Sequence, residues 1–397
     1  MVSPVSRGGE DASAAAGLVT RRARRTKPLR SSAGGFFHPE LARRWLHRYA
    51  RAMPMLLSRR AFAAVPTLLL IPCLLAGAGF IGLSWTGIQD AARPEVTPSP
   101  TPRFEVVVLG RAQDGGLPHL GCERSCCVNA RKSGRLETPA CLGVRDLETD
   151  RLLLLEATPR IEHQVGLLHE IAGASGRPRR PVDGILLTHA HIGHYAGLIQ
   201  LGREVASTKA TPVWATSRFC EYLRTNGPWS QLVELEQIAL NEITPGTTDG
   251  ETEPTSFEPL PGLRVDAFTV PHRDEFSDTV AYKLYGPSKT VLFCPDVDRW
   301  DAHEGLLEKL LEGVDVAYVD ATFYDGRELP GRNILEVPHP PMIRTMELLE
   351  AMGRETPGRV RFIHLNHTNP ALNDLDLQDE IRGRGFPVAE VGERVGI

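Results

Sequence analysis

The sequence predicts an α/β domain over residues 104–397, preceded by an N-terminal segment of different character. After Phe104, short apolar runs typical of strands alternate with stretches of helical periodicity, which indicates largely buried sheets. Histidines and aspartates follow several of the predicted strands. Before residue 104, a charge-free stretch and a proline-rich run show no such alternation. These observations place one folded domain behind a leader or anchor.

The composition narrows the class of protein. Of 397 residues, 42% are hydrophobic and 24% are charged, which excludes a disordered, collagen-like or disulfide-dense chain. The net charge of −4 conceals an asymmetry: residues 1–60 hold 13 Lys and Arg against 3 Asp and Glu, and residues 61–397 hold 32 against 46. Phosphate binding requires a basic field, so the acidic body argues against nucleic acid as the substrate.

Residues 1–52 are predicted to be a disordered basic extension. They contain the run RRARRTKPLR and show no hydrophobic periodicity. A solvated tail is the default interpretation, and binding to nucleic acid or anionic lipid is the alternative. Met53 and Met55 stand just ahead of two arginines, where a signal peptide would begin. An alternative interpretation is that the true start codon is Met53 or Met55 and that residues 1–52 are not translated.

Residues 53–90 are predicted to form a twin-arginine-type signal or membrane anchor. No charged residue occurs over residues 61–89, and a helix of that length exceeds the roughly 30 Å hydrocarbon layer of a bilayer. The preceding Ser58-Arg59-Arg60-Ala61-Phe62 resembles the twin-arginine export signal of bacteria. Residues 91–103 are rich in proline and predict a stiff linker. We expect an uncleaved anchor and a body that is periplasmic or faces outward, with a cytoplasmic protein as the alternative.

The body contains seven apolar runs with the length and composition of strands and three stretches with helical spacing. The predicted strands are residues 104–110, 151–157, 184–188, 212–216, 290–296, 314–320 and 359–365. The predicted helices are residues 162–171, 304–312 and 342–352.

The densest chemical signal is the segment Thr188-His189-Ala190-His191-Ile192-Gly193-His194, at the end of a predicted strand. Strand alternation puts His189 and His191 on one side, and the following turn brings His194 round to join them. Neutral imidazole is a usual ligand of zinc and ferrous iron. A single histidine is more often structural, but three at this spacing predict a metal site.

This segment resembles the H-x-H-x-D-H signature of the metallo-β-lactamase superfamily. Three further residues, each at the end of an apolar run, follow in the order of that superfamily's other metal motifs: His272, Asp296 and His364. The resemblance implies an αββα sandwich, in which two facing sheets have helices outside. It also implies one metal held by His189, His191 and His272, and a second held by His194, Asp296 and His364, with Asp296 shared.

Gly193 stands where the superfamily signature has an aspartate. The resemblance therefore implies that the second metal position lacks one carboxylate, and we expect weaker metal binding there. Restoring the carboxylate by Gly193→Asp is expected to raise occupancy of that position. Glu275, Asp278 and His367 are the first candidates to fill the gap.

A closer resemblance, over nearly all of residues 104–397, is to the branch of pyrroloquinoline quinone biosynthesis protein B. It rests on the segments VLG (108–110), QDGGLP (113–118), VDATF (319–323) and IHLNHTNP (363–370). That branch has a degenerate histidine motif and an asparagine where His367 stands, so this chain is richer in metal ligands. The candidate cleft-lining residues are Gln113, Asp114, Glu275, Asp278 and His367.

A second cluster, His119, Cys122, Cys126 and Cys127, follows the first predicted strand. The same branch holds a structural zinc through closely spaced cysteines in the corresponding loop, although the C-x₃-C-C spacing here departs from its pattern. The resemblance implies a structural zinc held by thiolates, with His119 as a candidate fourth ligand. A disulfide is the alternative if the domain is exported to an oxidising space.

His339 and Asp320 are the candidate catalytic residues. Asp320 lies in VDATF, and His339 lies in EVPHP ahead of a predicted helix. This arrangement resembles the segment that supplies a proton-handling histidine in ribonuclease Z relatives. The resemblance implies that His339 protonates a leaving oxygen and that Asp320 orients it. The alternative is a loop histidine between prolines at a helix start.

Together these residues predict a metal-dependent hydrolase, which uses one or two zinc ions to activate water against a small ester, lactone, amide or phosphoester. The substrate is expected to be a small molecule or small peptide. Two alternatives stay open: an iron-dependent oxidative enzyme of pyrroloquinoline quinone-type cofactor biosynthesis, and a non-catalytic ligand carrier. The nearly complete ligand set favours the hydrolase.

Overall fold

The apolar runs form the strands of two β-sheets. The computed structural model describes residues 101–353 and 358–397. Within them lie thirteen strands: β1 (Phe104–Gly110), β2 (Cys141–Asp146), β3 (Leu152–Leu155), β4 (Gly184–Leu186), β5 (Thr211–Thr216), β6 (Ile238–Ile243), β7 (Phe257–Leu260), β8 (Leu263–Thr269), β9 (Val280–Tyr285), β10 (Thr290–Cys294), β11 (Val316–Asp320), β12 (Val360–Ile363) and β13 (Arg394–Gly396).

The first sheet has seven strands in the order β13-β1-β2-β3-β4-β5-β6, and the second has six in the order β12-β11-β10-β9-β8-β7. The pairs β3–β4, β4–β5 and β5–β6 of the first sheet are parallel. In the second sheet β10, β11 and β12 are parallel neighbours. The remaining ladders are antiparallel.

The helices lie between and after these strands in the chain. They are α1 (Ser125–Ser133), α2 (Ile161–Ala172), α3 (Ile192–Tyr195), α4 (Ser217–Thr225), α5 (Trp229–Glu234), α6 (Leu306–Leu311), α7 (Met342–Ala351), α8 (Pro370–Asn373) and α9 (Leu375–Gly383). Short 3₁₀ turns occur at Ala196–Leu201, Trp300–Ala302 and Ile334–Glu336.

The alternation of side chains along the strands builds three apolar interfaces. In β1, Val106 and Val108 pack between the two sheets, whereas Val107 and Leu109 face the outer helices. Both sets are fully buried, and each such side chain contributes roughly 1.5–3 kcal/mol relative to exposure. These three interfaces separate four layers, in the order helices, sheet, sheet and helices.

The outer layers are formed by helices whose regularly spaced apolar residues pack on the sheets. Ile161 and Leu168 of α2, together with Phe219 of α4, cover the seven-stranded sheet. Leu310 of α6 and Met346 of α7 cover the six-stranded sheet. These contacts confirm the α/β class and the two-sheet sandwich.

The predicted strands and helices are present, and their ends lie within two residues of the observed ones. Of the strands that the sequence did not single out, β6 and β7 are partly exposed, whereas β2 and β9 are almost fully buried. The predicted basic extension (1–52) and anchor (53–90) lie outside the described residues, as does most of the linker (91–103). Within residues 101–353 and 358–397, no helix has both the length and the apolar character that crossing a bilayer demands.

Candidate metal centre

Strand ends from both sheets meet at the candidate site. Asp296 follows β10, Asp320 ends β11 and His364 follows β12, and these three strands are parallel neighbours. Glu156 and His189 follow β3 and β4, which are also parallel neighbours. Because the carboxyl ends of parallel strands share one edge, the fold gathers these side chains from distant parts of the sequence.

Two of these residues have unusual backbone conformations. Glu156 has φ 82° and His364 has φ 66°, although neither is glycine. A left-handed backbone at such residues costs about 1–3 kcal/mol and clusters at functional sites. Both side chains are fully buried in the centre. The unfavourable backbone conformation therefore occurs where it directs these side chains into the centre.

The first metal position comprises the ligand atoms of His189, His191, His272 and Asp296, which all lie within 4.8 Å of one another. His189 Nε2 lies 3.3 Å from Asp296 Oδ2, and His272 Nε2 lies 3.3 Å from Asp296 Oδ1. Two ligands bound tetrahedrally at about 2.0–2.1 Å would lie roughly 3.4 Å apart. The spacing therefore suits a zinc-sized cation.

The second metal position comprises Asp114, His194 and His364, whose ligand atoms also lie within 4.8 Å of one another. Asp114 Oδ1 is 3.2 Å from His194 Nε2 and 3.6 Å from His364 Nε2. Asp296 Oδ2 approaches the same two nitrogens at 3.6 Å and 3.9 Å. Asp296 is thus placed between the two positions, as the sequence predicts, and Asp114 joins the second.

Each histidine of the two positions has a polar partner at its other ring nitrogen. These pairs are His189 Nδ1 with Thr188 Oγ1 (2.9 Å), His191 Nε2 with Glu275 Oε2 (2.9 Å), His194 Nδ1 with Glu156 Oε1 (3.3 Å), His272 Nδ1 with Asp298 Oδ1 (3.5 Å) and His364 Nδ1 with Thr322 Oγ1 (2.9 Å). Metal-binding histidines characteristically have such a partner, because it fixes the ring orientation and tautomer.

Several inward-facing atoms are buried and have no hydrogen-bond partner of acceptable geometry among the described residues. They are Asp114 Oδ1, Asp296 Oδ1 and the Nε2 atoms of His194, His272 and His364. Buried polar atoms are normally paired, since an unpaired one costs about 1–3 kcal/mol. Imidazole nitrogens and carboxylate oxygens are the donor set of zinc and ferrous iron. The residues present therefore fit a metal centre.

The electrostatics of the centre follow from its carboxylates. Burial opposes ionisation of Asp296, but His339, His364 and His272 outweigh it and hold the pKa of Asp296 well below its usual range. Burial lowers the pKa of His272, but Asp296 raises it overall to about 9. Burial, reinforced by His194, holds the pKa of His189 well below its usual value. A metal at this centre would replace protons held by some of these rings.

The candidate catalytic pair lies beside the two metal positions. His339 Nδ1 is 2.8 Å from Asp320 Oδ2 and 3.1 Å from Asp296 Oδ1. Asp320 is fixed in turn, because its Oδ1 accepts from Thr322 N–H at 2.8 Å. Burial lowers the pKa of His339, but Asp320 and Asp296 raise it overall to about 10. The ring is thus in contact with the centre and favours its protonated form.

The residues predicted to line the cleft divide into two groups. Gln113 lies beside the centre, where Asn366 donates to Gln113 Oε1. The half-buried Asp278 lies 3.8 Å from Arg218, and His367 stacks on His119 with ring centroids 4.5 Å apart. Neither Asp278 nor His367 contacts the second metal position. The expectation that they or Glu275 fill the gap at Gly193 is wrong, because Glu275 contacts His191 of the first position and the nearby carboxylate is Asp114.

Glu156 is a functional residue that sequence reasoning missed. It is fully buried, and it contacts His194 Nδ1 and the hydroxyl of Thr188. The available signal was an acidic residue directly after the strongly apolar strand Leu152–Leu155. A buried charge at a strand end requires partners, and here the partner is a metal-ligand candidate.

The cysteine loop brings together Cys122, Cys126 and Cys127, whose sulfurs lie within 4.8 Å of one another. The three are free thiols, and Cys126 Sγ and Cys127 Sγ are 3.9 Å apart, whereas a disulfide requires about 2.05 Å. His119 does not join them through its ring: Nδ1 faces the Leu120 carbonyl at 3.1 Å, and only its backbone N–H contacts Cys127 Sγ. The expectation that His119 is the fourth ligand of the cysteine site is therefore not supported by its position.

Comparison with known proteins places this centre in a family. The family model of the beta-lactamase superfamily domain matches residues 151–365. The chain therefore belongs to the metallo-β-lactamase fold superfamily, and the matched residues include all five histidines of the two positions and Asp296.

Within that superfamily the chain is PqqB-like. It is 26% identical over 320 residues to the coenzyme PQQ synthesis protein B of Methylorubrum extorquens strain PA1, covering 73% of this chain and 98% of the relative. The corresponding protein of Rhizobium meliloti strain 1021 is 26% identical over 320 residues, covering 74% and 98%.

Two solved structures share the fold. Zn²⁺-bound PqqB from Methylobacterium extorquens has a TM-score of 0.59 and 23% identity, covering 74% of this chain and all of that chain (100%). A diphosphatase from the PhnP family has a TM-score of 0.52 and 17% identity, covering 74% of this chain and 96% of its own.

Proposed function

We propose that this protein is a metal-dependent hydrolase, which activates water against a small ester, lactone, amide or phosphoester. The observation that carries the proposal is the convergence of five histidines on Asp296, each with an outer partner that orients its ring. This is the architecture of a pair of adjacent metal positions rather than of an isolated structural site.

When bound, zinc supplies Lewis-acid chemistry, polarising the scissile group and lowering the pKa of a water towards about 7. Asp296 links the two positions, because its Oδ2 lies near both His189 of the first position and His194 of the second. Glu275, Glu156 and Asp298 hold the ring orientations. Burial of His189, His194 and His272 strengthens their electrostatic contacts.

His339 is the proposed general acid. Its recorded contacts with Asp320, Asp296 and Thr322 all involve Nδ1, which leaves Nε2 to exchange a proton with substrate. Asp320 stabilises the protonated ring and fixes its direction, so that Nε2–H can be donated to a leaving oxygen. Asp320 is accordingly a positioning residue, and His339 is the residue that would touch substrate.

The test combines metal analysis with an activity screen. Protein purified without added metal is analysed by mass spectrometry for zinc and iron, then assayed on ester, lactone, amide and phosphodiester panels. We expect zinc and hydrolysis of one panel, and loss of hydrolysis together with the zinc of the first position in His189→Ala. A fully zinc-loaded protein that hydrolyses no panel would contradict the proposal.

The role of His339 has a separate test. His339→Gln should retain its metal and lower kcat by about 10²–10⁴-fold for substrates with poor leaving groups. The loss should be much smaller for nitrophenolate leaving groups, which need no proton. The exposed His303→Gln is the matched control and should not change either rate. An equal loss for both kinds of leaving group would exclude proton donation.

A second candidate function is an iron-dependent oxidation in quinone cofactor biosynthesis. The observation in its favour is the likeness to coenzyme PQQ synthesis proteins over nearly their whole length, 98%. A single iron per chain in the purified protein would favour it over hydrolysis. Failure to retain any metal at the histidines would instead favour a ligand carrier.

Two further proposals concern the rest of the chain. We propose that Cys122, Cys126 and Cys127 hold a structural zinc, which should persist in His189→Ala and disappear in Cys126→Ser. We also propose export of the folded domain through residues 53–103. A reporter fused to that segment should lose export when Arg59 and Arg60 become lysine, and a reporter that stays cytoplasmic with the native segment would overturn the localisation.

A further inference from the structure

The space that a side chain at position 193 would fill is occupied by Asp114. An ideal Cβ on Gly193 would lie 2.0 Å from Asp114 Oδ1 and 2.6 Å from Asp114 Cα. Carbon atoms do not approach so closely, so a side chain at 193 and the observed placement of Asp114 exclude each other. Gly193 begins no left-handed turn, since it lies within α3 (Ile192–Tyr195) and its φ is not positive. The need to leave space for Asp114 therefore explains why residue 193 is a glycine.

The loop that carries Asp114 is fixed against the strand end that carries His364. Gln113 N–H donates to the Leu365 carbonyl at 2.8 Å, and Leu365 N–H donates to the Arg111 carbonyl at 2.9 Å. The chain then turns at Asp114, where Gly116 N–H donates to the Gln113 carbonyl at 2.7 Å. Asp114 is thus presented by a hydrogen-bonded turn next to a metal-ligand candidate.

The carboxylate of Asp114 is aimed into the second metal position. Its Oδ1 is buried without a hydrogen-bond partner among the described residues, and it faces His194 Nε2 at 3.2 Å and His364 Nε2 at 3.6 Å. The other acids considered for this role are placed elsewhere, because Glu275 contacts His191 and Asp278 lies near Arg218.

We propose that Asp114 is the anionic ligand of the second metal position, and that Gly193 is the glycine that makes room for it. A carboxylate delivered from the loop after β1 thus replaces one that would come from the histidine segment itself. This inference rests on the proposal that the histidine centre binds metal. It reverses the expectations of a weak second position and of its repair by Gly193→Asp, since the new side chain would collide with Asp114.

The experiment is a Zn²⁺ titration of the metal-free full-length protein by calorimetry, with bound metal counted by mass spectrometry. Asp114→Asn preserves the shape of the side chain and removes its charge. We expect it to weaken the second position by more than the roughly 10–100-fold that loss of an outer partner costs, and to leave the first unchanged. Asp278→Asn is the matched control and should bind as the wild type does.

Gly193→Ala tests the steric half of the proposal. Its methyl group should displace the Asp114 carboxylate and lower the affinity of the second position without removing any charged group. Wild-type affinity at both positions in Asp114→Asn, or selective loss of the second position in Glu275→Gln, would overturn the inference. If both metals bind as proposed and no substrate is hydrolysed, the proposed function fails and this assignment stands.

Discussion

The two metal positions share Asp296, yet the chain builds the rest of each in a different way. The first takes His189 and His191 from one short segment and adds His272 from the other sheet. The second takes Asp114, His194 and His364 from three segments, of which the outermost are 250 residues apart. The first is therefore largely a local motif, whereas the second is a product of tertiary structure.

The two positions also differ in charge. The first combines three imidazoles with Asp296. The second combines two imidazoles with Asp114 and Asp296, and Glu156 lies behind His194. A divalent cation at the second position would therefore meet more negative charge than at the first. The sequence had suggested the opposite, because Gly193 supplies no carboxylate.

The largest expected effect is the loss of both positions together in Asp296→Asn. Its Oδ1 faces His272 of the first position, and its Oδ2 lies 3.3 Å from His189 of the first position and 3.6 Å from His194 of the second. The amide keeps the shape but not the charge, so metal affinity should fall by more than about 100-fold at both positions. Zinc titration and metal counting measure this. Retention of either metal at wild-type affinity would show that Asp296 is not shared.

The next effect separates the two positions. His191→Ala should empty the first position and spare the second, and His364→Asn should do the reverse. Asparagine is the chosen replacement because His364 has φ 66° and asparagine tolerates that backbone. Metal counting of each variant gives the answer. If each substitution removes both metals, the positions are cooperative and the distinction drawn above fails.

A smaller effect is expected from Glu156→Gln, which leaves every direct ligand in place. Glu156 contacts His194 Nδ1 of the second position directly at 3.3 Å, whereas it reaches His189 of the first position only through the Thr188 hydroxyl. Loss of such a partner typically lowers metal affinity by roughly 10–100-fold. The first position, assayed by the same titration, should lose less affinity because its link to Glu156 runs through Thr188. A loss confined to the first position would show that His194 is not a ligand of the second.

The sequence predicted the first position better than the second for a physical reason. His189 and His191 are close in the chain, so strand alternation alone puts them on one side. The fold class was likewise predictable, because apolar alternation encodes which face of each strand is buried. The role of Asp114 was not predictable, since it depends on a turn docked at Leu365 and on the absent Cβ of Gly193.

The same reasoning explains the errors at the cysteine loop and at Glu275. Proximity in sequence suggested that His119 joins the thiols, but its ring stacks on His367 from the far end of the chain. Proximity also suggested Glu275 for the second position, but the loop delivers it to His191. Proximity in sequence identifies candidate residues, but the packing of the loops that carry them determines which groups they contact.

The smallest expected effect concerns the support of the Asp114 loop. Arg111 donates to Glu137 at 2.9 Å and 3.0 Å, and Arg135 also donates to Glu137. Burial acts to raise the pKa of Glu137, but the two arginines hold it below its usual value. Because the folded-state pKa is lowered, this stabilisation is present above the unfolded pKa of about 4.3 and is lost as pH falls through the folded value.

Glu137→Gln should therefore lower the free energy of unfolding by about 1–3 kcal/mol at pH 7, discounted from a fully buried pair because Arg135 is 34% exposed. Urea unfolding at several pH values measures this, and the difference from wild type should shrink below about pH 4. The exposed Glu204→Gln is the control and should leave stability nearly unchanged. Since Arg111 adjoins the turn that presents Asp114, zinc affinity at the second position should fall slightly while the first is unchanged. An equal fall at both positions would mean that Glu137 acts on the whole fold rather than on this loop.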